Sequence, residues 1–269
     1  MTKEEPPRTV WHYTTPVGLA GIVQNCRLWA THAAFLNDPL ELRIDDQRTV
    51  AIWQSLVDDH PELAPVMDHF SQHEGLIEGD NYLTSFSADG DSLPQWRAYA
   101  ANGRGYAIAF DLRSEHWSYD RGLFSIRKCI YGCEALEGAL RAEETLLARL
   151  AAVTHKGRTV FKPAWQKAAL ANSCLKILSS YKDEAYRSEA EWRLLGADVF
   201  SGPSQVLFRP SAFGLTPYLE VPFERSALRE IRIGPGLPAD PARKAVELLL
   251  AKAELENVEV TGSAVAYRP

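Results

Sequence analysis

The sequence lacks most of the signatures that declare a function at once. It has no GxxxxGK[ST] loop and no strand–GxGxxG–helix unit. Neither a P-loop nor a Rossmann-type dinucleotide site is therefore expected. Gly103-Arg104-Gly105 lacks a third glycine and precedes a strand pattern. No GxSxG elbow is present, so nothing directs the reading toward a Ser-His-Asp hydrolase. No apolar run reaches the length of a membrane span, and no membrane partner is expected. Positive charge is in deficit: 29 Lys and Arg against 35 Asp and Glu leave −6. A general grip on nucleic-acid phosphates needs the opposite balance. Arg97, Arg104, Arg121, Arg127 and Lys128 fall in one stretch but read as scattered solvated charge.

Cysteine is sparse, with Cys26, Cys129, Cys133 and Cys174 alone. Cys129-x3-Cys133 has no second pair at metal-site spacing, so no zinc site is expected. No N-terminal run joins positive charge to a long apolar core. Free thiols in a reducing cytoplasm are the simplest expectation.

What is present suits a substantial core: 269 residues, 46% of them hydrophobic. One domain over 1–269 is expected. Val10–Tyr13 reads as a short strand, and Thr15-Pro16 opens a helix with a capping threonine and proline in the first turn. Asn37-Asp38-Pro39 starts another helix, to about Leu56, and a further one is expected near 61–71. Asn81–Ser87 reads as a strand, Ser92-Leu93-Pro94 begins a short helix, and Tyr106–Phe110 is a strong strand after a turn. Residues 134–182 are helical in pattern and form an expected helical insertion. Strands follow near 192–195, 205–208, 218–221, 230–233 and 258–260, with a helix over about 241–255. Strands and helices do not alternate regularly. The expected class is α+β with a mixed or antiparallel sheet.

Chemistry-bearing residues gather in three places. His12-Tyr13-Thr14 closes a strand; alternation sends His12 and Thr14 to one face and Trp11 and Tyr13 to the other. Thr84-Ser85-Phe86-Ser87 closes a second strand, with Ser85 and Ser87 on one face. Glu189-x-Glu191 enters a third, and two carboxylates on one face are costly unless hydrogen-bonded or protonated. Each cluster also has a plain structural reading. His12 can be a satisfied, half-buried histidine. The serines can bond local backbone. Glu191 can pair with Arg193 or another arginine. His69-x3-His73 reads as surface histidines on a polar helix, not as a metal pair.

The order of segments resembles a bacterial family of unknown function, domain-of-unknown-function family twenty-nine seventy-one. The matching pieces are His12-Tyr13-Thr14, Leu28-Trp29-Ala30, Leu36-Asn37-Asp38-Pro39-Leu40-Glu41, Phe86-Ser87 and Trp96-x-x-Tyr99. They continue with Gly105–Phe110, Glu189-x-Glu191-Trp192-Arg193 and Ile231-Arg232-Ile233-Gly234-Pro235.

More remotely, His-Tyr-Thr, then a serine-bearing strand, then Glu-x-Glu is similar to the three-part NAD site of ADP-ribosyltransferases. That resemblance implies a split β-sheet core around NAD and no metal. His12 would hold a ribose or the nicotinamide amide, flanked by Tyr13 and Thr14. Ser85 or Ser87 would shape the nicotinamide-ribose pocket. Tyr13, Phe86, Trp96 or Tyr99 would stack on nicotinamide. Glu191 would be the catalytic carboxylate, with Glu189 nearer the acceptor. The implied activity is transfer of ADP-ribose from NAD to a macromolecule, protein or nucleic acid, in a toxin or phage-defence effector. Two rival readings stand beside it. One is a non-enzymatic nucleotide-binding or regulatory module. The other is a metal-dependent hydrolase using Glu189, Glu191 and histidines.

Overall fold

A computed structural model describes residues 7–36, 47–59, 81–112, 117, 124–142, 177–197, 205–211 and 214–268. Its strands are β1 (Thr9–Thr14), β2 (Arg27–His32), β3 (Asn81–Ser87), β4 (Tyr106–Asp111), β5 (Phe124–Lys128) and β6 (Ile130–Tyr131). They continue as β7 (Tyr181–Lys182), β8 (Glu191–Ala197), β9 (Leu207–Ser211), β10 (Gly214–Pro222), β11 (Leu228–Ile233) and β12 (Glu259–Gly262). The helices are α1 (Pro16–Asn25), α2 (Gln47–Asp59), α3 (Leu93–Tyr99), α4 (residues 133–142) and α5 (Ala239–Lys252).

The class is mixed α+β with a mostly antiparallel open sheet. Among the described residues ten strands join in one sheet, along the path β12-β11-β4-β1-β3-β2-β10-β9, with β8 pairing β3 and β5. Of the described registers in it, only β11–β12 is parallel. The chain divides into two compact units. One holds Ala33–Asn81 and Cys129–Ala185, the other Glu5–His32, Tyr82–Lys128 and Tyr186–Pro269.

In the first unit β6 and β7 form a parallel pair. Arg141 of α4 donates to Glu137 one turn back, at 2.9 Å, and to Ser55 of α2, at 3.1 Å. Residues 143–176, most of the expected helical insertion over 134–182, lie outside the described residues. So do the start of the helix expected from Asn37, the helix near 61–71, His69, His73, Arg121 and Cys174. Tyr181, expected in a helix, belongs to β7 instead. A two-residue strand held by one parallel neighbour is too short to show a period of two.

The second unit carries the sheet. Its local signals work as written in the sequence. The Thr15 side chain accepts the Gly18 N–H at 3.2 Å, Pro16 opens α1, and Cys26 ends it in the left-handed region at φ 50°. A non-glycine there is strained, and its N–H closing on the Ile22 carbonyl at 2.9 Å offsets part of that cost. β4 is buried along its length between β1 and β11.

Strand alternation then builds two cores. Val10, Phe86, Ile108, Phe110, Trp192 and Leu194 pack on one side with α1 and α5 residues such as Leu19, Val23, Val246 and Leu250. Trp11, Tyr13, Ala107 and Ala109 pack on the other, beneath Trp96 and Ala100. Small residues on β4 make room there for the large rings of β1 and α3. Among the described residues no helix is long and apolar enough to cross a membrane.

Candidate functional site

The site residues converge on β3 because that strand has three neighbours. Its end pairs β1 through Trp11↔Ser87. Its start pairs β2 through Thr31↔Leu83 and His32↔Tyr82, and β8 pairs it as well. Three segments far apart in sequence, which carry His12, Ser87 and Glu191, are thereby made neighbours in one sheet.

The expected alternation on β1 holds, and it divides the polar set between two faces. His12 lies with the larger core, its ring edge-on to Phe86 at 6.0 Å. Its Nδ1 bonds the Ser85 carbonyl at 3.0 Å. Packing strips water from the imidazole and lowers its pKa from 6.5, and the bond to Ser85 opposes this only in part. The ring is therefore neutral at pH 7, donates from Nδ1, and presents Nε2 as an acceptor. Thr14 is buried on the same side, against Gly18 of α1.

On the opposite face Ser87 is buried and donates from Oγ to the Glu189 carbonyl at 2.8 Å. The Ala88 N–H donates to the Ala190 carbonyl at 2.9 Å, which stitches the two chain segments together. Tyr99, on the last turn of α3, donates to Glu189 Oε1 at 3.0 Å. Glu189 is half-buried, and Ser85 is exposed. Tyr13 donates to the Asp89 carbonyl and accepts the Ser92 N–H, both at 2.9 Å, which fixes the loop between β3 and α3. Burial above all raises the Tyr13 pKa, so the hydroxyl stays protonated. Trp96 lies edge-on to Tyr13 at 4.9 Å and is fully buried. It serves that packing and cannot stack on a ligand without displacing it.

The two glutamates do not share one extended face. Glu189 closes a 3-10 turn (Glu184–Glu189), and Ala190, at φ 45°, swings the chain before Glu191 begins β8. Glu191 is 3% exposed and Arg193 0%. Arg193 grips both carboxylate oxygens, Nε to Oε1 at 2.9 Å and Nη2 to Oε2 at 3.3 Å. A carboxylate engaged in this way is committed to its guanidinium. The arrangement realises the ion-pair reading of Glu191, and the accessible carboxylate of the motif is Glu189.

Some supporting residues carried no separate signal in the sequence. Asp91 accepts from Trp96 Nε1 at 2.8 Å, from Ser263 and from the Ala264 N–H at 2.8 Å, tying the β3–α3 loop to the chain after β12. Arg232 lies over the Trp11 ring at 4.3 Å, while Gly90 closes on that ring so tightly that a Cβ would overlap it. The dense pattern Asp89-x-Asp91-Ser92 at a strand–helix turn was the available clue. A groove on α3, lined by Leu93, Pro94, Arg97, Ala98 and Asn102, lies apart from these side chains. Among the described residues no three His, Cys, Asp or Glu side chains are grouped to hold a metal.

Neither the curated proteins nor the solved structures contain a match to this chain. A family model described as Protein of unknown function (DUF2971) matches residues 95–194, the stretch that carries Trp96, Tyr99, Glu189, Glu191 and Arg193, and it supports the resemblance to that family.

Proposed function

We propose that this protein is an ADP-ribosyltransferase-like enzyme that uses NAD as substrate, with Glu189 as its working carboxylate. The observation that carries the reading is the Tyr99–Glu189 hydrogen bond of 3.0 Å beside Ser87, at the point where β1, β3 and β8 come together. A tyrosine that holds a half-exposed carboxylate in one orientation gives it the preorganisation that charge stabilisation requires.

The chemistry follows from that placement. The bond between ribose C1′ and nicotinamide nitrogen breaks, and nicotinamide leaves with the electron pair. Positive charge grows on C1′ and the ring oxygen. Glu189 accepts from the 2′-hydroxyl and stabilises that charge. A nucleophile of the macromolecular acceptor, protein or nucleic acid, then bonds C1′ and gives up its proton to Glu189 or to water. No metal takes part. His12 works from behind the strand by holding the Ser85 carbonyl, and Glu191 holds Arg193 in place. This assignment moves the reacting carboxylate from Glu191, which the resemblance favours, to Glu189.

Incubation with labelled NAD and cell lysate tests the reading. Label transfer by the wild type, lost in Glu189→Gln with the fold intact, supports it; equal transfer by both removes Glu189 from the role.

The buried Glu191–Arg193 pair favours a second reading, a non-enzymatic nucleotide-binding module in which the motif organises the core. It expects NAD or ADP-ribose to bind with no nicotinamide released by any variant.

A further inference from the structure

A second cluster lies across β3 from His12, and the proposed chemistry makes no use of it. Trp29 on β2 is 43% exposed, which is unusual for an indole standing on a sheet face. Trp29 lies two residues before Thr31, which pairs Leu83 of β3, and its carbonyl accepts from Thr84 Oγ1 at 2.9 Å, next to Ser85. Alternation puts the indole and the exposed Ser85 side chain on one face. Tyr218 of β10 braces the ring at 4.7 Å. Arg209 of β9 lies over it, 5.4 Å from the centroid. Its Nη2 is anchored to Thr31 Oγ1 at 2.9 Å.

Arg209 is incompletely satisfied. Its Nε–H is buried and has no hydrogen-bond partner among the described residues. A guanidinium held over a half-exposed indole, with a donor unspent, suits a ligand that is planar and anionic at once. Rotation of the guanidinium about its anchored Nη2 would turn the Nε edge toward a phosphate oxygen, the geometry in which arginine binds phosphate best. The same rotation would lift the guanidinium off the indole, and a ring face uncovered in this way accepts any base by stacking.

We infer that Trp29, Tyr218 and Arg209 form a nucleotide subsite, in which the base stacks at Trp29 and Arg209 binds a phosphate, with the Ser85 hydroxyl beside the sugar. The subsite requires that a nucleotide bind there and does not depend on ADP-ribose transfer by Glu189.

Calorimetric titration with ADP, adenosine and inorganic pyrophosphate, on the full chain, tests it. Arg209→Gln is expected to weaken ADP by about tenfold and leave adenosine unchanged. Trp29→Ala is expected to weaken ADP and adenosine alike, and Trp29→Phe to restore most of the loss. Arg225→Gln, which removes an equal charge from an exposed pair with Glu254, controls for net charge. The proposal is overturned if ADP does not bind, or if Arg209→Gln has no more effect than Arg225→Gln. Pyrophosphate binding as tightly as ADP overturns it too, since the ring would then do nothing. Loss of the Arg209→Gln effect with Glu189→Gln still inactive would discard the subsite and leave the transferase reading standing.

Discussion

The Tyr99 hydroxyl donates to Glu189 Oε1 at 3.0 Å, across 90 residues of chain. This bond couples α3 to the 3-10 turn before β8 and helps to orient the carboxylate. Tyr99→Phe removes the donor and keeps the ring. Turnover of NAD is expected to fall by about tenfold to a hundredfold, with KM changed little, because the orienting group acts on the transition state. Steady-state kinetics of the purified variant checks it, against a melting temperature close to wild type.

Glu191 and Arg193 form the second relationship with measurable consequences. Glu191→Gln removes the carboxylate that a fully buried guanidinium grips through two of its nitrogens, and a loss of stability of about 3–5 kcal/mol is expected. Urea unfolding measures it. The double variant Glu191→Gln/Arg193→Leu is expected to recover part of that loss, because the buried guanidinium is removed along with the carboxylate it grips. A Glu191→Gln protein as stable as wild type would mean that the pair carries no structural load.

Packing around His12 makes stability depend on pH. Its native pKa lies below the unfolded value of 6.5. Above pH 6.5 both states are neutral and the group contributes nothing to the slope. As pH falls below 6.5 the unfolded chain takes up the proton first, so the native state is progressively disfavoured until pH drops through the native pKa. His12→Gln keeps a donor for the Ser85 carbonyl without titrating. Its stability is expected to fall less steeply than wild type between pH 6.5 and 5, read from unfolding midpoints across that range.

Gly90 lies against the Trp11 ring, which also has the Arg232 guanidinium over it. Gly90→Ala is expected to destabilise by about 1–3 kcal/mol through overpacking. It is also expected to disturb the loop that Tyr13 holds. Near-ultraviolet circular dichroism, which senses the Trp11 and Trp96 environments, follows the change alongside thermal unfolding.

Much of the architecture was legible because local signals agreed with the tertiary result. Asn81–Ser87 is a strand with the expected bounds. Thr15-Pro16 caps α1, and alternation on β1 sorts Trp11 and Tyr13 from His12 as expected. The site was legible as a list of residues and less so as a geometry. Two i, i+2 glutamates imply one face only in continuous extended backbone, and the left-handed Ala190 breaks that continuity without leaving a mark in residue type. The commitment of Glu191 to Arg193 depends on burial that follows from packing the whole sheet. Trp29 and Arg209 are 180 residues apart, and no local pattern could have joined them.

The most direct test of Glu189 as the working carboxylate is nicotinamide release from NAD, measured side by side for wild type and Glu189→Gln, both shown folded by circular dichroism. Release by the wild type and a drop of about a hundredfold or more in the variant are the expected result. Equal rates in the two proteins, or a wild type that binds NAD and leaves it intact, would contradict it.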